Sequence, residues 1–109
     1  MNLKEQFERC TRFGINILDL VMFHELKFPK VDSEMQERKV YEEYAEFQCA
    51  IEKQDKIDEA VDCIISLIGY LAKNDVDVEK AIKNKFGRVL EKPYPDNFHH
   101  VDNIEKENK

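Results

Sequence analysis

The strongest apolar pattern in the chain runs from Ile57 to Ala72, where Ile57, Val61, Ile64, Ile65, Ile68, Leu71 and Ala72 recur with a 3.6-residue period and no charge falls between Asp62 and Lys73. A helix this apolar is expected to be buried. The segment before it, about Ser33 to Lys53, carries a second stripe at Val40, Tyr44, Phe47 and Ile51. Neither Gly nor Pro separates the two, yet one continuous helix would rotate its stripe by about 100° between the segments. A turn at Gln54 to Lys56 resolves the mismatch, with Asp55 as N-cap and Asp58 near the N3 position. Upstream, Leu3, Phe7, Cys10, Gly14, Ile17, Leu18 and Val21 predict one helix from about Leu3 to His24. Downstream, the stripe Val78, Ile82 and Val89 predicts a last amphipathic helix. The expected fold is all-α, with four helices.

Two acidic pairs, Glu43/Glu46 and Glu59/Asp62, lie on the two central helices. Spacing alone is weak, because a chain with 23 acidic residues in 109 should hold roughly five such i,i+3 pairs by chance. The position of these pairs is more telling. Glu43 and Glu46 border the stripe of their helix, while Glu59 and Asp62 sit on an apolar helix beside Cys63, Ser66 and Tyr70. Buried carboxylates need a counter-charge or a metal. With the turn at Gln54 to Lys56, Glu46 and Asp62 come nearly level, and all four carboxylates fit within about 10 Å. Oxygen ligands at that density suit a hard cation, Mg²⁺ or in its place Mn²⁺.

Glu42-Glu43-Tyr44-Ala45-Glu46, followed by Glu59-Ala60-Val61-Asp62, resembles the EExxE and ExxD motifs of the MazG-like, all-α nucleoside triphosphate pyrophosphohydrolases, a superfamily that includes dimeric dUTPases and phosphoribosyl-ATP pyrophosphohydrolase. The resemblance runs from about Lys39 to Pro95 and takes in the segment Lys83-Asn84-Lys85-Phe86-Gly87-Arg88, with Lys83 where family members often carry Asn. It implies that Glu43, Glu46, Glu59 and Asp62 bind Mg²⁺. It also implies a reaction in which water cleaves a nucleoside triphosphate between its α and β phosphates, giving the monophosphate and pyrophosphate. Glu42 and Glu43 are the residues expected to serve catalysis, Glu42 as a proton acceptor. Basic residues should face the phosphates. Lys39 lies one turn before Glu43, and Lys85 and Arg88 fall along one side of the last helix. Two other readings remain: phosphoribosyl-ATP pyrophosphohydrolase, with the same metal ligands, and a non-catalytic helical module that binds nucleotide or dimerises.

A net charge of −6 excludes the positive footprint that a nucleic-acid strand demands. The apolar runs are too short for a membrane span, and no signal-peptide pattern is present, so a cytoplasmic location is expected. Three cysteines without CxxC spacing read as reduced packing residues. His24 reads as a charge or cap at the end of the first helix, and the neighbouring His99 and His100 cannot share a helix face. A base could stack on Phe13, Ile17 or Tyr70. The chain divides into a single domain, 1–95, and a polar tail, 96–109. So small a core is marginal alone, and a homodimer or homotetramer is expected to complete the bundle.

Overall fold

A computed structural model describes residues 1–93, and all of their regular structure is helical: α1 (Leu3–Phe13), α2 (Ile17–Lys27), α3 (Ser33–Cys49), α4 (Lys53–Ala72) and α5 (Val78–Glu91). The expected tail, with Phe98, His99 and His100, lies outside the described residues.

Five helices replace the expected four, because the first predicted helix is two. Gly14 ends α1 with φ +93°, a backbone conformation that side chains with a Cβ rarely adopt, and its N–H donates to Cys10 O. Asn16 then starts α2 through a reciprocal capping box. Asp19 N–H donates to Asn16 Oδ1 at 3.2 Å, and Asn16 N–H donates to Asp19 Oδ2 at 2.8 Å. Asp32 and Asp77 cap α3 and α5 by accepting the Met35 and Lys80 backbone N–H groups.

The α3–α4 hairpin is present, but its turn lies earlier than Gln54. Helix α3 ends at Cys49, the connection is Ala50–Glu52, and α4 begins at Lys53. Glu52, not Asp55, occupies the N-cap, and its side chain makes no capping bond. What closes α3 is Lys56, which donates to Phe47 O at 2.9 Å and stands 4.6 Å over the Phe47 ring. The carbonyls left open at the end of α3 thus find their donor one turn inside α4.

Helix α4 is the centre of the chain: α2, α3 and α5 pack on it, while α1 packs on α2. Within the chain the interior is more polar than the stripes predict. Ile68 and Val78 are the buried apolar residues among those described, alongside buried Gln6, Asp19, His24, Gln36, Glu43 and Ser66. These polar groups are tied across helices. Gln6 donates to Asp19 O, His24 Nε2 to Ile65 O at 2.8 Å, and Gln36 Nε2 to Ser66 O at 3.0 Å. Arg9 pairs with Asp19.

The predicted stripe of α4 is not the core of this chain along its whole length. Ile68 is buried, and Ile65, Leu71 and Ala72 are half-buried, but Ile57, Val61 and Ile64 are 47%, 47% and 56% exposed. The α3 stripe also loses Tyr44 and Ile51 to the surface. On α4 the face carrying Glu59, Asp62, Ser66 and Gly69 turns the other way. Ser66 and Gly69 are buried there, because a small side chain and a bare Cα let the Gln36 and His24 side chains approach.

Candidate metal centre

The position of the turn decides which carboxylates meet. A hairpin centred on Ile51 sets Glu43 level with Glu59, with Glu46 one turn nearer the connection and Asp62 one turn farther from it. Carboxylate oxygens of Glu43, Glu46 and Glu59 accordingly lie within 4.8 Å of one another. Asp62 stays outside this set, exposed, but lines the adjoining cavity. Of the four expected ligands, three converge and the fourth neighbours them.

Glu43 is 7% exposed. Its Oε1 accepts from Lys39 Nζ at 2.9 Å, while its Oε2 is shielded from water and has no partner. One oxygen of Glu59 is shielded and unpartnered as well. Leaving buried carboxylate oxygens unmatched is costly, and a cation is the usual remedy. Desolvation, followed by the Glu46 and Asp62 charges, holds the Glu59 carboxyl above its ordinary range. Lys39 is held protonated above its ordinary value, first by the hydrogen bond to Glu43. It also lies 3.6 Å from Glu42, whose carboxylate is exposed. Burial, then the surrounding carboxylates, raises the Cys63 thiol, and the three converging side chains all offer oxygen. Such a set fits a hard divalent cation.

Beside the carboxylates opens a cavity of about 440 Å³. The exposed Arg38, Lys39, Glu42 and Asp62 line it together with Glu43. Buried His24, Gln36 and Ser66 give it a polar wall, and Phe23, Phe28 and Ile65 give it apolar surface. None of Phe13, Ile17 and Tyr70 lines it, and Phe13 is exposed. His24 is no exposed cap charge. It is 3% exposed, and burial lowers its pKa.

Sequence reasoning missed His24, Gln36, Ser66 and Arg38. A signal existed for Gln36, which with Lys39 and Glu43 forms the i, i+3, i+7 series of one helix face. No comparable local signal marks His24 or Ser66, since their burial depends on contacts between helices distant in sequence. Lys85 and Arg88 are exposed on α5, which packs on α2 and α4 but not on α3, and neither residue lines the cavity. Compared with known proteins, the chain matches no family model, no curated protein and no solved structure.

Proposed function

We propose that this protein is a Mg²⁺-dependent nucleoside triphosphate pyrophosphohydrolase of the MazG-like type. The observation that carries the reading is the shielded, unpartnered Oε2 of Glu43 within a three-glutamate cluster at the edge of a cavity of about 440 Å³. Small-molecule sites commonly measure about 300–1,000 Å³.

Glu43, Glu46 and Glu59 would hold the cation, Mg²⁺ or Mn²⁺, with Asp62 beside them. When bound, the cation neutralises triphosphate charge, polarises a phosphoryl oxygen and lowers the pKa of the attacking water. Glu43, 7% exposed, is the most deeply buried of the three. Lys39, now held by Glu43, is placed to turn toward a phosphate oxygen once a cation replaces it as the counter-charge. Arg38 offers a bidentate donor on the same cavity wall. Glu42, with an exposed carboxylate, is the proton acceptor of the proposal.

Lys85 and Arg88 do not reach α3 within their own chain. If they clamp phosphate they do so from a second copy, which agrees with the exposed Ile57, Val61 and Ile64 stripe on α4. We therefore assign a homo-oligomer, dimer or tetramer, built on that stripe. No helix among the described residues is long and apolar enough to cross a membrane.

Pyrophosphate release from ribo- and deoxyribonucleoside triphosphates and phosphoribosyl-ATP, with Mg²⁺, Mn²⁺ or EDTA present, tests the reading. Metal-dependent release from a nucleoside triphosphate supports it. Turnover of phosphoribosyl-ATP alone moves the substrate to that intermediate. Silence across the panel overturns the enzyme and leaves a binding or dimerisation module.

A further inference from the structure

Gln36 and His24 meet over Gly69. A Cβ built on Gly69 would collide with the His24 imidazole and would lie 2.7 Å from Gln36 Nε2. Both side chains turn a nitrogen toward α4, where Gln36 Nε2 donates to Ser66 O at 3.0 Å and His24 Nε2 donates to Ile65 O at 2.8 Å. A backbone carbonyl only accepts, so these bonds fix the amide orientation and the imidazole tautomer. The atoms left over are both acceptors. Gln36, 4% exposed, lines the cavity and its bonds to Ser66 run through Nε2, leaving Oε1 open to a donor, while His24 Nδ1 is shielded and without a partner. Burial keeps the imidazole neutral, so Nδ1 retains its lone pair.

These acceptors belong to residues lining the same cavity wall, where Phe23 and Phe28 meet edge to face with centroids 5.8 Å apart. An acceptor on the cavity wall favours a ligand that brings N–H groups, and planar aromatic walls favour a flat ring. Along α3, Gln36, Lys39 and Glu43 occupy one face, spanning about 10 Å from the acceptor wall to the carboxylates. That order, a wall for a flat donor, then a cation, then metal ligands, follows a nucleotide from its base to its phosphates.

We propose that this cavity receives the nucleobase and that Gln36 Oε1 selects bases carrying an exocyclic amino group over their oxo counterparts. The inference rests on the nucleotide reading of the adjoining carboxylates. An amino group offers a hydrogen to the Gln36 acceptor, whereas an oxo group in its place sets a lone pair against it. Sites built around such hydrogen bonds discriminate strongly, because the wrong ligand leaves buried polar atoms unpaired.

Binding of CMP against UMP and of AMP against IMP to the full chain, with EDTA present and followed by calorimetry, tests this without metal or turnover. The expected result is that each amino base binds at least about tenfold more tightly than its oxo partner, one hydrogen bond's worth of discrimination. Gln36→Met keeps the length of the side chain and should bring both ratios within about threefold. A general packing defect would weaken all four ligands and leave the ratios intact. Equal binding within each pair, ratios unchanged in Gln36→Met, or no saturable binding of any monophosphate overturns the proposal. Amino preference without pyrophosphate release would retain the base site and discard the hydrolase, and metal-dependent release without amino preference would do the reverse.

Discussion

Helix α4 has two faces that reverse the ordinary rule. The side bearing Glu59, Asp62, Ser66 and Gly69 turns toward α3 and α2, while Ile57, Val61 and Ile64 stay about half exposed. Ser66 is buried and Glu59 half-buried on the one side, while three isoleucine and valine positions stay open on the other, although Ile68 remains in the core. A lone soluble chain gains nothing from that inversion, since apolar burial is the main favourable contribution to folding. The difference teaches that the two faces answer different demands. The inner one is shaped around charge and hydrogen bonds, and the outer one leaves apolar side chains open to a partner only if the proposed oligomer forms.

The largest effect should come from the inner face. Glu43→Gln is expected to lower metal-dependent pyrophosphate release about a thousandfold, roughly 4 kcal/mol of transition-state stabilisation. Helical circular dichroism should be unchanged, because no cavity opens. Asp62→Asn, outside the three-carboxylate set, should cost less. Equal activity of Glu43→Gln and the native chain would remove the inner face from function.

Next comes the outer face. Val61→Asp should shift the protein to a smaller species in sedimentation and destabilise it by about 2–3 kcal/mol, the contribution of one buried aliphatic side chain. If that face meets only water, the same change stays within about 0.5 kcal/mol, and the contrast between the faces loses its meaning.

Metal and pH then sharpen the inner face. Mg²⁺ or Mn²⁺ at a hundredfold excess over its dissociation constant should stabilise the fold by about 2.7 kcal/mol, read as a rise in Tm. The folded-state pKa of Glu59 is raised, so its ionisation opposes folding as pH climbs from the ordinary carboxylate value of 4.5 through the higher folded value. The metal-induced rise in Tm should therefore shrink on acidification, as protons compete for the same oxygens. A metal effect independent of pH would point to ligands other than these carboxylates.

The smallest effect concerns His24. Its folded pKa is lowered, so the contribution of the neutral ring is complete above the ordinary value of 6.5 and is lost as pH falls toward the folded value. His24→Gln should flatten that limb of a stability profile measured by urea titration. An unchanged limb would assign the acid sensitivity to other groups.

Much of the local structure was legible. The all-helical class, the hairpin between Ser33 and Ala72 and the amphipathic helix that carries Val78, Ile82 and Val89 follow from periodicity, which acts within a few turns. Glu43 and Glu59 were identifiable because carboxylates beside an apolar stripe violate the ordinary pattern. The break at Gly14 was hidden by a stripe that runs through it, although Asn16 and Asp19 hold the spacing of a capping box. The turn at Ala50–Glu52 contains neither Gly nor Pro, and the donor that fixes it, Lys56, acts from the next helix. His24 and Ser66 carried no local mark of burial.

What the sequence by itself determined is therefore the set of helices and the acidic pairs set upon them, because helix formation, capping and i,i+3 spacing are local. Tertiary structure decided which face of α4 turns inward and which carboxylates meet. Moving the centre of an antiparallel turn by four residues, from Asp55 to Ile51, shifts the facing residue by eight, about 12 Å along the helix. That shift exchanges Asp62 for Glu59 opposite the α3 carboxylates, and it depends on contacts between helices that no single segment encodes.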